Sequence, residues 1–361
     1  MDLMDLSLTG MKMKQLTIIL IIVLVVLAGG CIRKTVKTVY PSLSDGRYDS
    51  EFPYRNASDE IETITHSIRK LFHVVYYTTY QFTANSHVTR SDILSGTFRR
   101  LALGTIGTHE TNSGSATIIM NSGQKIALLT CAHILDSPDT LLSFFPLTAN
   151  DPIEMVKSIS IKEKQELFVK GFPDCGTFVT LAMDPEADIA IIGKECGGKL
   201  DSFELFNYPS GRARELEWGS FVYVFGYPLG NLMVTKGIVS HPNGDASGSF
   251  SVDALLNKGF SGGIVLAIRD GVPNFELVGM VKSISSHMGY YLKPEKNIYE
   301  FQYNEFIPYS GETYVGSEEV INYGINYVVP FESIQEFYKK NRPGLITQGY
   351  NLDPFFSSGH R

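Results

Sequence analysis

Apolar and polar positions fall into short runs along most of this chain, and turn residues separate them. Ile126-Ala127-Leu128-Leu129-Thr130, Ile189-Ala190-Ile191-Ile192 and Ile264-Val265-Leu266-Ala267-Ile268 are continuous apolar runs, which predict fully buried strands. Val74 to Phe82 is rich in β-branched and aromatic residues and predicts another strand. Helical spacing appears at two places. After the start signal Ala57-Ser58-Asp59-Glu60, residues Ile61, Ile64, Ile68, Leu71 and Phe72 fall on one face, and Phe331 to Tyr338 reads as a terminal helix. From Gly114 onward short strand-like runs dominate, so the pattern predicts an all-β fold of two antiparallel barrels packed side by side. The first is expected at about 97–199 and the second at about 218–330, with a crossover near Lys199 to Glu217. A helical extension over 57–96 precedes them, and a tail over 341–361, rich in Pro and Gly, follows.

Composition changes this picture little. The 361 residues carry a formal net charge of -7 and 43% hydrophobic residues, enough apolar material for a large core. That balance argues against a nucleic-acid binder and against disorder.

The N-terminus adds an address. Lys12 and Lys14 precede an apolar run from Leu16 to Leu27, and Ala28-Gly29-Gly30-Cys31 follows, the layout of a signal peptide over 1–30. The run is shorter than the ~20 residues a spanning helix needs. Met11 reads as the functional start, because Met1 to Gly10 is acidic. Leu27-Ala28-Gly29-Gly30-Cys31 resembles a bacterial lipobox, which implies lipidation of Cys31 and a tether over 31–56. The expected location is the bacterial cell envelope, with the chain facing the periplasm or the exterior.

The candidate chemistry centres on Asn257-Lys258-Gly259-Phe260-Ser261-Gly262-Gly263. Glycines around a serine allow main-chain N–H groups to converge beside a hydroxyl, which suits a nucleophile with an oxyanion hole. Alone, this stretch reads equally as a plain glycine-serine turn or as the nucleophile elbow of an α/β-hydrolase. Thr130-Cys131-Ala132-His133 places a histidine at the lip of an apolar strand. Ala187-Asp188-Ile189 places a carboxylate at the head of another, with Asp184 as its rival. The chain order His, Asp, Ser excludes the elbow and the subtilisin order.

These motifs resemble those of trypsin-like (chymotrypsin-fold) serine peptidases, most similar to the HtrA/Deg branch. The resemblance runs from about Gly114 to Phe337 and includes Gly114-Ser115-Ala116, Phe225-Gly226-Tyr227-Pro228-Leu229-Gly230, Gly237-Ile238-Val239, Val252-Asp253-Ala254 and Gly324-Ile325-Asn326-Tyr327-Val328-Val329-Pro330. It implies two six-stranded barrels, a triad of His133, Asp188 and Ser261, and an oxyanion hole from the N–H groups of Gly259 and Ser261. It implies a protein or peptide substrate and no cofactor. The 341–361 stretch is too short for the PDZ domain usual in that branch. Departures exist: Phe260 stands where the trypsin branch has aspartate, Lys258 where the Deg branch has proline, and Lys282 in the segment that pairs with substrate. Leu255, Leu256, Lys258, Lys282, Ser283 and Ile284 are the expected substrate-binding residues, and the two leucines favour a small or aliphatic P1 side chain.

A stretch from Ser285 to about Glu319, rich in tyrosine, reads as a long loop beside the cleft, either a lid or recognition loop or a surface elaboration. Cys175 and Cys196 are the expected disulfide, and Cys131 a buried free thiol. His66, His73, His87 and His109 are too scattered for a metal site, and none is expected. The leading function is a lipid-anchored serine endopeptidase of protein quality control or processing. The alternative is a peptidase-fold binding or sensing protein with a latent triad, and chain order disfavours an esterase or acyltransferase. Oligomeric state is left open.

Overall fold

The computed structural model describes residues 44–145, 155–172, 176–197, 200, 203–294, 306, 308, 310 and 313–357. The expected signal peptide, Cys31 and Cys175 lie outside these residues, as does the middle of the 285–319 stretch.

Helix α1 (Ser58–Thr65) leads into β1 (Ile68–Gln81), and two short helices, α2 (Arg90–Leu94) and α3 (Phe98–Leu101), precede β2 (Gly104–Asn121). The strands β3 (Lys125–Thr130), β4 (Thr140–Phe144), β5 (Val156–Val169), β6 (Val179–Asp184) and β7 (Ile189–Glu195) follow. Together they form a curled seven-stranded antiparallel sheet in the order β4-β5-β1-β2-β3-β7-β6. The second unit contains β8 (Phe221–Gly226), β9 (Met233–His241), β10 (Phe250–Val252), β11 (Ile264–Ile268), β12 (Phe275–Pro294) and β13 (Thr313–Pro330). These close into a six-stranded barrel, β10-β13-β12-β11-β8-β9. Helices α4 (Phe331–Thr347) and α5 (Asp353–Phe356) end the chain. The architecture is all-β, two antiparallel units of which one is a curled sheet and the other a closed barrel, as the pattern predicted.

Burial follows the sequence pattern where strands are central. β3 and β7 are central strands whose successive residues are buried on both faces by the first apolar cluster, with Ile126, Leu128, Ile189 and Ile191 fully buried. One apolar cluster joins the first sheet to α4, and a second fills the closed barrel with Val222, Val224, Val239, Val252, Val265 and Phe260.

Four expectations about boundaries are corrected. β1 is not a separate extension: it pairs with β2 from Ile68↔Thr117 to Gln81↔Gly104 and with β5 on its other edge, giving the first sheet seven strands where six were expected. The stretch expected as a tail over 341–361 packs on the first cluster as far as it is described, because Leu345, Tyr350, Leu352 and Phe355 are buried there. The expected tether ends well before residue 56. Tyr48 and Asp49 are buried, the Asp49 N–H donates to the Ile268 carbonyl at 2.9 Å, and the Tyr48 hydroxyl donates to Glu276 at 2.7 Å. Finally, the flanks of the 285–319 stretch are strand, not loop: β12 and β13 continue out of the barrel as a two-stranded ribbon to Pro294↔Thr313.

Candidate active site

β3 delivers His133. The strand stops at Thr130, and the turn Ala132–Ile134 lifts the imidazole to the rim, where its side chain is 47% exposed. Its Nδ1 lies 3.0 and 2.9 Å from the two carboxylate oxygens of Asp188, and its backbone N–H donates to Asp188 Oδ1 at 2.9 Å. Asp188 is buried and sits at φ 59°, a left-handed conformation that aspartate tolerates better than most side chains. The carboxylate fixes the tautomer with hydrogen on Nδ1, which leaves Nε2 a free base. Its rival Asp184 does something else: its Oδ1 accepts the N–H groups of Glu186 and Ala187 and caps the turn before β7.

Ser261 lies in the loop between β10 and β11, and two glycines shape that loop. Gly259 has φ 105°, and a β-carbon there would come within 2.4 Å of the Tyr227 carbonyl oxygen. Gly262 has φ 80°, and a β-carbon would meet the Ser115 carbonyl at 2.1 Å. No other residue fits either position without moving backbone. Among the described residues the N–H groups of Gly259 and Ser261 have no acceptor, while their neighbours Phe260, Gly262 and Gly263 all donate to carbonyls. Two unspent donors on the loop that carries the Ser261 hydroxyl are what a pocket for developing negative charge requires.

Ser261 and His133 line one depression of about 570 Å³, together with Asn112, Ser113, Glu319 and Ile321. Among the described residues no hydrogen bond joins the Ser261 hydroxyl to His133. Such bonds are commonly long before substrate arrives.

Two supporting residues were not singled out from sequence. Ser115, fully buried on β2, ties the sheets together at the loop. Its hydroxyl donates to the Gly259 carbonyl at 2.7 Å and accepts the Tyr227 N–H at 2.8 Å, while its own N–H donates to the Ser261 carbonyl at 2.8 Å. Asn326, also fully buried, donates to the carbonyls of Val252 and Ala254, at 3.1 and 2.7 Å, and so holds the segment that leads into the loop. Both stand inside motifs quoted from the sequence; only the three-dimensional contacts reveal their work.

Phe260 is 1% exposed and packs into the closed barrel, so a hydrophobic plug anchors the nucleophile loop where a charged side chain was the comparison. The expected substrate-binding residues divide. Lys258 lines the cleft and forms an ion pair with Glu319 of the ribbon, which Ser286 also holds through a 2.6 Å hydrogen bond. Lys282 borders a separate depression of about 540 Å³ with Asp184, Glu186 and Asp245. Leu255 is 69% exposed, whereas Leu256 belongs to the barrel core and not to the cleft lining, which corrects that expectation. Ser283 and Ile284 pair with β13, and their side chains lie outside the description.

Cys131 is a buried free thiol whose Sγ donates to the Val281 carbonyl at 3.1 Å, and burial raises its pKa well above the ordinary thiol range. Cys131, His133 and Asp188 each place one donor atom within 4.8 Å of the others, a closeness that the His133–Asp188 hydrogen bonds largely explain. Cys196 is disulfide-bonded. His73 is a core residue whose Nδ1 lies 2.9 Å from the Ile134 carbonyl, directly beside the His133 turn.

Residues 114–280 match the trypsin-like peptidase domain family. That match supports a trypsin-like serine peptidase. No curated protein matches the chain. The trypsin-like stretch begins at Gly114, where β2 turns from exposed to buried, and ends at Met280 in the barrel part of β12, so it contains His133, Asp188 and Ser261 but not the ribbon.

Proposed function

We propose that the chain is a serine endopeptidase that hydrolyses peptide bonds through a triad of His133, Asp188 and Ser261. The observation that carries this reading is the shared cleft: a carboxylate-bound histidine and a serine flanked by two unspent N–H donors face the same depression. In the reaction, His133 Nε2 takes the Ser261 proton as Oγ attacks the substrate carbonyl. The tetrahedral oxyanion accepts hydrogen bonds from the Gly259 and Ser261 N–H groups. Asp188 stabilises the imidazolium, which then protonates the leaving amine and leaves an acyl-enzyme. Water, activated by the same histidine, releases the acid product.

On its motifs the chain is nearest the HtrA/Deg branch, and its N-terminus supports attachment to the cell envelope through a lipidated Cys31. Among the described residues no helix is long and apolar enough to cross a membrane. Such an enzyme would work on unfolded, processed or surface proteins.

A second reading, a latent site in a binding or sensing protein, draws support from the missing Ser261–His133 bond and from the Lys258–Glu319 pair that ties the ribbon to the oxyanion loop. Labelling with a fluorophosphonate, with Ser261→Ala as control and casein turnover in parallel, separates the two. Labelling and casein cleavage that both vanish in the variant establish the peptidase. A folded protein that takes no label sinks it.

A further inference from the structure

The β12–β13 ribbon extends one face of the cleft outward. The two strands pair from Ser286↔Ile321 to Pro294↔Thr313. Opposed residues share a face, and so do alternate residues along each strand. Ser286, Met288, Tyr290 and Leu292 therefore lie on the same side as Ile321, Glu319, Ser317 and Val315. Ser286, Glu319 and Ile321 line the Ser261 cleft, which identifies this side as the one that continues it. Beyond the cleft, Met288 is 52% exposed, Tyr290 74%, Leu292 71% and Val315 71%.

This apolar ladder is also open along its backbone. Among the described residues, 286–294 of β12 have strand partners only in β13, so that strand has an open edge of N–H and C=O groups. An exposed, apolar strand with an open edge invites another strand to add to it. The base of the ribbon is held at the cleft, because Glu319 pairs with Lys258 of the oxyanion loop.

We propose that this face is an exosite for the substrate polypeptide, receiving an extended segment with apolar side chains at alternate positions. The proposal rests on the peptidase reading and names its substrate class: unfolded chains, because a folded protein buries the segments that would fit. The occupant follows from continuity. From Ser286 to Leu292 the ladder runs about 20 Å at strand rise, so a single extended chain of some six residues spans it and enters the cleft without a turn.

The test uses the full-length protein carrying Met288→Ser, Tyr290→Ser and Leu292→Ser together, all at exposed positions. Fluorescein-labelled, reduced and carboxymethylated α-lactalbumin is the unfolded probe, and binding is read by anisotropy in a Ser261→Ala background. The expected result is at least tenfold weaker binding. In the active background, kcat/KM for the unfolded protein should fall about tenfold through KM, while a short peptide substrate is hydrolysed within twofold of the parent rate. Equal binding by parent and triple variant overturns the exosite, even when fluorophosphonate labelling shows that the peptidase stands. Absent labelling with ribbon-dependent binding removes the peptidase and keeps the site. A dimer in sedimentation that the triple variant dissociates also overturns the proposal, because a second copy would then cover the face.

Discussion

The Ser115 hydroxyl reaches from the first sheet to the Gly259 carbonyl at 2.7 Å and, accepting the Tyr227 N–H at 2.8 Å, fixes the Gly259–Phe260 peptide just before Ser261. The Gly259 N–H lies in the preceding peptide plane, whose Lys258 carbonyl accepts the Leu229 N–H at 3.1 Å, so Ser115, 144 positions earlier in the chain, acts on that N–H only through the Gly259 backbone torsions. Ser115→Ala leaves a buried carbonyl and a buried N–H without partners, which costs about 1–3 kcal/mol of stability. Catalysis should suffer separately. With Gly259 as the proposed oxyanion donor, a freed Gly259–Phe260 peptide lets its torsions drift, and kcat should fall by about one order of magnitude, short of the ~3 kcal/mol lost when such a donor is removed outright. KM should barely move. Steady-state kinetics below the variant's melting transition check the split; a change confined to KM would assign Ser115 to substrate binding.

Asp188 and Asp184 stand four residues apart and do different work. Asp188→Asn keeps the size of the side chain but can stabilise the wrong imidazole tautomer, so kcat should fall by roughly 10³–10⁴. Asp184→Asn loosens only a turn that its carboxylate caps, and activity should stay within a fewfold, with stability down by ~1 kcal/mol. Fluorophosphonate labelling rates of the two variants, measured side by side, decide the assignment. Equal losses would mean that the turn, and not the Asp188 carboxylate, controls the site.

The site was legible where its chemistry is local. A histidine ending an apolar strand, an aspartate opening another and a serine among glycines are each short stretches, and the fold brings the first and last to one cleft and bonds the first two. Ser115 and Asn326 were not legible as supports, because a buried serine earns its role only from contacts more than 70 residues away. Leu256 was misplaced for a similar reason: in Asp253-Ala254-Leu255-Leu256 burial alternates, and one position's shift in phase moves a side chain from surface to core. β1 was recognised as a strand, but not as a member of the first sheet, since pairing partners far along the chain, from Ile68↔Thr117 to Gln81↔Gly104, leave no periodic mark. The ribbon was read as a loop because its apolar residues have no buried face to repeat against.

Phe260 anchors the Ser261 loop in the closed barrel with a fully buried ring, and its loss should be felt in both the barrel and the loop. Phe260→Ala removes a large side chain from the second cluster and should cost about 3–5 kcal/mol. Phe260→Leu retains most of the plug and should cost well under half as much. If the loop depends on this packing, labelling of Ser261 in the alanine variant slows even at temperatures where circular dichroism reports a folded protein. Full labelling there would show that Ser115 and the glycines hold the loop without the plug.

Asp49 gives the clamp at the back of the second barrel a pH dependence. Its Oδ2 accepts the Gly271 N–H at 3.1 Å, its Oδ1 has no partner, and burial, reinforced by neighbouring carboxylates, raises its pKa from 3.8 to about 6. The folded state therefore holds a proton between pH 4 and 6 that the unfolded state releases. The contribution is stabilising and complete below pH 4, falls as pH rises to 6, and is absent above that. Asp49→Asn keeps an oxygen for Gly271 and removes the buried charge. The variant should lose this slope between pH 4 and 6 and gain about 1–2 kcal/mol at pH 7, less than the full shift implies because the amide must find room for its own donors. Urea midpoints across pH 4 to 8, measured in the Ser261→Ala background to prevent self-cleavage, read the difference directly. Parallel curves for parent and variant would mean that Asp49 is ionised at no cost and that this N-terminal segment is held by the Tyr48–Glu276 and Asp49–Ile268 bonds alone.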